Sequence, residues 1–447
     1  MVKKLIVILL IANCSITFAQ TIKTDVLVIG GSPSGVATAM QCARSKVKTI
    51  LAVQDSSLGN FHGTEMVSVE TSSNIPSGIW GEFRKRIQDF YKKTPGFDTA
   101  YNAPLKFEPA VASSILKKIT DTAKNLTVYA NTSFTTIKKD GDKWDVSFSQ
   151  NEKIVKVIAR VIIDGTENGE VAAKAGAKFS TTLDNIKDNS RLSDYRTSIV
   201  CGNDFPGQLY TDVNSPKNNY PSYPAYCIPI NSVLLKGVDN ILVTERLLPA
   251  NRSGQYLPVQ LSLGQGIGTI AAYCGFFKTT TNNLNVRVIQ GELLDFKAYL
   301  LPFADITPKD HDWRAIQQVC ATGLLKGAQQ VSGKDAQFLF KPDSTVNTAE
   351  VQPVLTEIYT RAFLWFAKEK PGEKFTLGNL LSFISDYTLT DPLVLKYRVQ
   401  KDWTGQYKFK PGFDLNAPIT RREFAVLANR FLNPFARTVD LNGRLVN

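Results

Sequence analysis

The sequence predicts an α/β fold that opens on a mononucleotide-binding βαβ unit, carries an inserted cap, and closes on a mostly helical C-terminal domain. Three observations predict it. Residues 25–35, DVLVIGGSPSG, carry an apolar run straight into a glycine-rich turn; the small-residue stretch VATAMQCAR leaves that turn with helical character; and the composition changes near Pro302.

Residues 26–29 read as a strand buried on both faces, and Ala37, Ala39 and Ala43 make the following helix small enough to lie close against a sheet. Residues 49–53 supply a second strand, so strand, turn, helix and strand fit in about thirty residues, the size of a βαβ unit. The turn leaves backbone N–H groups free, and a helix start adds roughly half a positive charge, which together suit a pyrophosphate. Counted as G-x-G-x-x-G from Gly30, the run Gly30, Gly31, Ser32, Pro33, Ser34 and Gly35 has Ser32 in place of the second glycine. Ser32 either crowds a phosphate or donates to it. The acidic residue due at the end of the second strand is Val53, and the nearest carboxylate is Asp55.

Leu58-Gly59-Asn60 then forms a turn, and residues 79–91 repeat apolar positions at helical spacing. Glu108 and Pro109 open an amphipathic helix with Val111, Ile115, Leu116 and Ile119 on one face. Short alternating segments containing Phe134 follow, with a hairpin turn at Asp140-Gly141-Asp142. A buried strand over residues 157–163 runs into DGTENGEVAAKAGA.

The chain has 447 residues, 43% hydrophobic and 21% charged, with a net charge of +12 spread along its length. These are ordinary globular values that argue against disorder. No basic stripe interleaved with aromatics points to nucleic acid, and no run after the first residues reaches the length of a membrane span. Residues 1–19 read as a signal peptide: Lys3 and Lys4 precede an apolar run, and Thr17 and Ala19 stand where a signal peptidase reads. The expected location is outside the cytoplasm: periplasmic, cell-surface or extracellular. Beyond the leader, Cys42, Cys201, Cys227, Cys274 and Cys320 are too sparse for a disulfide framework. With His62 and His311 as the only histidines, no metal site is expected; His62 follows the second strand and is a minor candidate near a cofactor.

Read in order, these segments resemble secreted FAD-dependent oxidoreductases with a glutathione-reductase-like, Rossmann-like nucleotide fold. Leu58-Gly59-Asn60 resembles that family's L-G-G, residues 107–112 its F-E-P-x-V-A, and residues 163–170 its I-D-A-T-x-x-G-D. Residues 240–246 resemble its strand N-L-L-V-A-x-R, and residues 263–268 its L-G-Q-A-A-G turn into a small-residue helix. The resemblance implies FAD as cofactor, with contacts at Gly30, Gly31, Ser32, Pro33, Ser34, Gly35, Asp55, Gly59, Asn60, Phe134, Gly165, Thr166, Gly264, Gln265 and Gly266. The alternative for residues 264–268 is that their glycines only allow close packing. Relatives often carry a His and an Arg where this chain has Leu248 and Gln255, so no general acid or base is named.

The domain reading is therefore a signal peptide over 1–19, an FAD-dependent oxidoreductase-like domain over 20–302 and a helical domain over 303–447. Nucleotide-binding parts are expected at about 22–60, 107–177 and 227–280, with a cap at about 178–226 that offers Tyr210, Tyr220, Tyr223 and Tyr226. From Phe303 the chain resembles S-layer homology repeats: one full repeat, and one partial repeat in which Thr420 and Glu423 form a capping box. That resemblance implies binding of acidic cell-wall polysaccharide, with Arg421 as the chosen contact; the alternative is a helical appendage packed on the first domain. The functional expectation is an exported flavoenzyme moving a hydride from a small-molecule substrate. Its rival is a degenerate scaffold that keeps the fold without the cofactor.

Overall fold

A computed structural model describes residues 21–70, 75–100, 103–179, 183, 191–206, 221, 225–249, 254–332 and 335–446. The expected leader and Tyr210, Tyr220 and Tyr223 lie outside these residues. The chain opens with β1 (Thr21–Ile29), α1 (Pro33–Arg44) and β2 (Thr49–Ala52). β1 and β2 pair in parallel, Val26 to Ile29 against Thr49 to Ala52, and Val26, Leu27 and Val28 are fully buried, as a strand covered on both faces requires.

There follow β3 (Val67–Val69), α2 (Gly78–Tyr91), β4 (Leu105–Phe107), α3 (Pro109–Asp121) and β5 (Leu126–Tyr129). β6 (Thr132–Asp140), β7 (Lys143–Gln150) and β8 (Lys153–Asp164) form an antiparallel meander, with Gly141 and Asp142 in the first turn. β9 (Ser198–Gly202) and β10 (Tyr226–Pro229) pair separately, and Tyr226 is buried between them and their neighbours. β11 (Ile241–Val243) joins the main sheet, whose order is β5-β2-β1-β8-β7-β6 with β11 on β8. β8 is long enough to serve two partners on one edge: its first residues pair with antiparallel β7, and Ile162 to Asp164 pair with parallel β11.

Two elements differ from the sequence reading. The strand expected over 240–246 stops at Val243, and Glu245–Leu247 turn into a short 3₁₀ segment that buries Glu245. The expected turn at 263–268 does not exist. Instead α4 (Leu257–Phe277) runs straight through it and is followed by α5 (Val286–Asp295). Pro258 in the first turn of α4 is the start signal, and the later glycines serve helix packing. A Cβ at Gly264 would lie 2.2 Å from the Ser34 carbonyl oxygen, and Thr38 Oγ1 of α1 donates to the Gly264 carbonyl at 2.9 Å.

The remaining elements are α6 (Trp313–Cys320), the hairpin β12 (Ala328–Ser332) and β13 (Asp335–Leu339), α7 (Thr348–Ile358), α8 (Ala362–Glu369), α9 (Leu377–Thr388), α10 (Pro392–Asp402) and α11 (Arg421–Phe431). The segments before α7, α9 and α11 close a ring. The Val346 N–H donates to Ile419 O at 3.0 Å, Phe375 N–H to Val346 O at 2.9 Å, and Ile419 N–H to Phe375 O at 2.9 Å. Three related helix starts therefore stand where the sequence showed one full repeat and one partial repeat. The middle copy was hidden because Asn379 replaces the glutamate of the capping box that Thr376 forms.

Arg421 is not on the surface. Its Nη1 donates to both Glu350 oxygens at 2.7 and 2.8 Å, Nε donates to the Phe340 carbonyl at 2.7 Å, and Nη2 donates to the Lys326 carbonyl. The first residue of α11 faces inward, and this buried pair ties it to α7. Glu350→Ala is expected to lower stability by about 3 kcal/mol, because it strands a largely buried cation; thermal denaturation measures it. The helical part also packs on the α/β part. Arg196, beside β9, pairs with Glu357 and donates to Thr322 O at 2.9 Å, while Gln317 Oε1 accepts from Leu300 and Leu301 N–H at 2.9 Å.

Candidate active site

The turn after β1 is held from three sides. Gly30 N–H donates to Ala52 O at 2.9 Å, Gly165 N–H to Ile29 O at 2.7 Å, and Gly59 N–H to Gly31 O at 2.7 Å. The turn at the end of β8 is fixed by buried Asp164, whose carboxylate accepts from Thr166 Oγ1 at 2.6 Å, Thr166 N–H at 3.0 Å and Ala172 N–H at 2.8 Å. Burial pushes the Asp164 carboxyl pKa up, against these hydrogen bonds that favour its charged form.

Two cavities meet at this turn. The first, of about 350 Å³, lies at the carboxyl ends of β1, β2 and β8 and is bordered by Gly30, Gly31, Asp55, Phe134, Gly165 and Thr166. The second, of about 340 Å³, is bordered by Ser32 and Pro33 at the start of α1, by Gly59 and His62, and by Leu257 and Gln260 at the start of α4. Asn60 and Glu167 border both, so the cavities form one two-lobed groove across the sheet end. A crevice outside the carboxyl ends of parallel strands is where such sheets take ligands.

Of the fifteen residues expected to touch a cofactor, ten border the groove: Gly30, Gly31, Ser32, Pro33, Asp55, Gly59, Asn60, Phe134, Gly165 and Thr166. The other five do not border it. Ser34 and Gly35 are buried inside the first turn of α1, where Gly35 N–H donates to Ser32 Oγ at 3.1 Å. Gly264 faces α1, Gly266 approaches Ile199 and Val200 of β9, and the Gln265 amide joins Gln41 on α1 to Ile79 N–H on α2. Gln255, expected at the place of an arginine, closes β3 onto the start of α4 by accepting from Glu70 N–H at 2.8 Å and donating to Ser68 O at 3.0 Å.

Sequence reasoning missed Glu245 and Gln260. Glu245 is buried, accepts from Ser34 Oγ and, at 3.4 Å, from Ser34 N–H, and takes a third bond from Gln260 Nε2 at 2.9 Å. Its signal was a carboxylate directly after the apolar run of β11, at the carboxyl end of the sheet; Gln260 was hidden because the helix start was placed too late.

Residues 25–192 match the FAD dependent oxidoreductase family. No curated protein matches the chain. Among solved structures, Thermovibrio ammonificans THI4 is 11% identical, with 61% of this chain and 95% of that one aligned and a TM-score of 0.33. The OxyS anhydrotetracycline hydroxylase from Streptomyces rimosus is 15% identical over 36% of this chain and 35% of its own, with a TM-score of 0.27. The bacillithiol disulfide reductase Bdr from Bacillus cereus is 17% identical over 33% and 41%, with a TM-score of 0.23. The chain thus spans less than half the length of the latter two. The match over residues 25–192 indicates FAD as the cofactor of that stretch, which is similar to FAD dependent oxidoreductases.

The groove fits that cofactor. Gly31 and Ser32, at the junction of the lobes, have backbone amides with no partner among the described residues, which suits a pyrophosphate beside the start of α1. Asp55 borders the first lobe with a carboxylate of the kind that suits ribose hydroxyls, and the start of α4 turns its helix dipole toward the second.

Proposed function

We propose that the chain is an exported FAD-dependent oxidoreductase that oxidises a small polar organic substrate in the lobe bordered by His62, Gln260 and the start of α4. The observation that carries this reading is the two-lobed groove joined at Asn60 and Glu167. When bound, FAD supplies a two-electron acceptor. The protein's part is to bind and orient. Asp55 would hold the ribose and the amides of Gly31 and Ser32 the phosphates, while Glu245, fixed by Ser34 and Gln260, borders the second lobe with its carboxylate. His62 is the exposed nitrogen base of the second lobe and is the residue we assign to receive the proton released by the substrate.

Reconstitution with FAD tests the reading: a yellow protein with a raised melting temperature supports it, and a colourless one refutes it. Asp55→Ala is expected to weaken FAD binding about tenfold, the value of roughly 1.4 kcal/mol from a lost charge-assisted hydrogen bond; fluorescence titration measures it.

One observation favours the scaffold reading. Ser34 and Gly35 N–H, first-turn donors of α1, already bond to Glu245 and to Ser32 Oγ. The same reconstitution separates the two readings. For residues 303–447, the ring of three helix starts supports the likeness to three S-layer homology modules and, with it, cell-wall polysaccharide binding. With Arg421 committed to Glu350, the basic groups facing the adjacent 420 Å³ groove for such a polymer are Lys326 and Lys341. A cell-wall pull-down of the chain with both changed to alanine tests that assignment.

A further inference from the structure

Six large apolar side chains stand exposed on two helices of the helical part and on the link that follows the helix between them. Phe363 and Leu364 on α8, Leu389 in the α9–α10 link, and Leu393, Val394 and Tyr397 on α10 are 56, 57, 87, 75, 60 and 69% exposed. The α9–α10 link leads straight into α10. Leu364 and Leu389 wall one groove of about 570 Å³, and Leu389, Leu393 and Tyr397 follow one another at four-residue steps, the last two on one face of α10. Leu389 is the most telling member. It sits at φ +55°, a backbone region that costs a leucine roughly 1 kcal/mol and that glycine or asparagine would occupy more easily. The fold gains no burial from the leucine placed there, so its side chain serves something outside the fold.

The charges in the same stretch of chain select the partner. Arg361 and Lys368 border the groove, and Lys396 and Lys401 stand exposed on α10. The nearby carboxylates are partly committed: Asp391 caps α10 through Leu393 and Val394 N–H at 2.9 and 3.0 Å, and Glu369 lies 3.2 Å from Lys368, while Asp386 borders the groove. Residues 361–402 hold seven basic and five acidic side chains in a chain of net charge +12. A second copy docked by two-fold symmetry would set this basic rim against itself, which is repulsive. An anionic bilayer satisfies both features, taking the apolar side chains at its acyl boundary and the lysines among its headgroups.

We propose that these side chains dock the protein on an anionic lipid surface. No helix of the described residues is long and apolar enough to span a membrane, so the contact is interfacial. The proposal is independent of the flavin reading.

Co-sedimentation of the full chain with vesicles of equimolar phosphatidylglycerol and phosphatidylcholine tests it. The chain is expected to pellet with these vesicles, less so at raised salt, and weakly with pure phosphatidylcholine. Leu389→Asp with Leu393→Asp is expected to cut partitioning by roughly a hundredfold with no fall in melting temperature, since both side chains are already in water and aspartate accepts the positive φ at 389 at least as well as leucine. Both proteins carry the same N-terminal residues, so the difference reads these two side chains alone. Failure of the wild type to pellet, or equal partitioning of the double variant, overturns the proposal. So does concentration-dependent dimerisation without vesicle binding, which would assign the face to a second copy.

Discussion

Gly30→Val is expected to abolish FAD binding and to destabilise the protein by about 4 kcal/mol or more, from a forbidden backbone region and an overpacked contact together. Gly30 has φ +118°, and a Cβ there would lie 2.4 Å from both the carbonyl carbon and oxygen of Gly165. Neither side can yield cheaply. Gly165 N–H is bonded to Ile29 O, and β1 pairs with β8 up to Ile29 and Asp164, so moving one turn breaks the register of two central strands. Gly63→Val is the control: it also has positive φ, at +89°, but nothing lies within 4 Å of its Cβ position. Thermal melts should show a loss of about 1–3 kcal/mol for Gly63→Val, from backbone strain alone, and a clearly larger loss for Gly30→Val. Equal losses would mean that the contact between the two turns carries no energy.

The nucleotide-binding start was legible because its constraints are local. A both-faces-buried strand, a glycine turn and an alanine-rich helix are written in consecutive residues, and β1, α1 and β2 end within one residue of where that pattern puts them, although β1 begins five residues before the apolar run, at Thr21. The far wall of the groove was not legible in the same way. Residues 263–268 read as a turn through their resemblance to L-G-Q-A-A-G, with close packing of the glycines as the alternative; here the absent side chains let α4 lie against the Ser34 carbonyl of α1, a contact made between residues more than two hundred positions apart. Moving the helix start to Leu257 moves the dipole with it, and so replaces Gly264, Gln265 and Gly266 at the groove with Leu257 and Gln260. Arg421 was misplaced for a related reason. Arg421 was chosen by its place in the T-R-R-E repeat, and only the ring of three helix starts shows that this turn faces inward onto Glu350.

Raising the pH above about 9 is expected to unfold the protein steeply, through groups that no motif contained. Cys42, Cys201, Cys227, Cys274 and Cys320 are all buried and free, and burial pushes every one of their thiols up, Cys227 and Cys274 to about 12. The folded state therefore keeps these protons when the unfolded chain, with thiols near their ordinary value of about 8.5, has lost them. A raised folded pKa gives stability that is complete below the unfolded pKa and falls as pH climbs toward the folded one. Each thiol contributes a slope of about 1.4 kcal/mol per pH unit in that window, so five approach roughly 7 kcal/mol per unit, against a typical total stability of about 5–15 kcal/mol. Arg287 works in the other direction. Burial first, and then the charge of Arg196, push its guanidinium down, a shift whose sign favours the folded state as pH rises. One proton does not offset five. Melting curves from about pH 7 to about pH 11 should show a falling midpoint, with alkylating reagent trapping the unfolded thiols and making the loss irreversible. Changing Cys201 and Cys227 together to alanine should reduce the slope by about 3 kcal/mol per pH unit, since two of the five thiols no longer titrate on unfolding. An unchanged slope would show that alkaline unfolding is driven by other groups, with buried Tyr195 and Tyr226, whose phenols burial also pushes well up, the next to test.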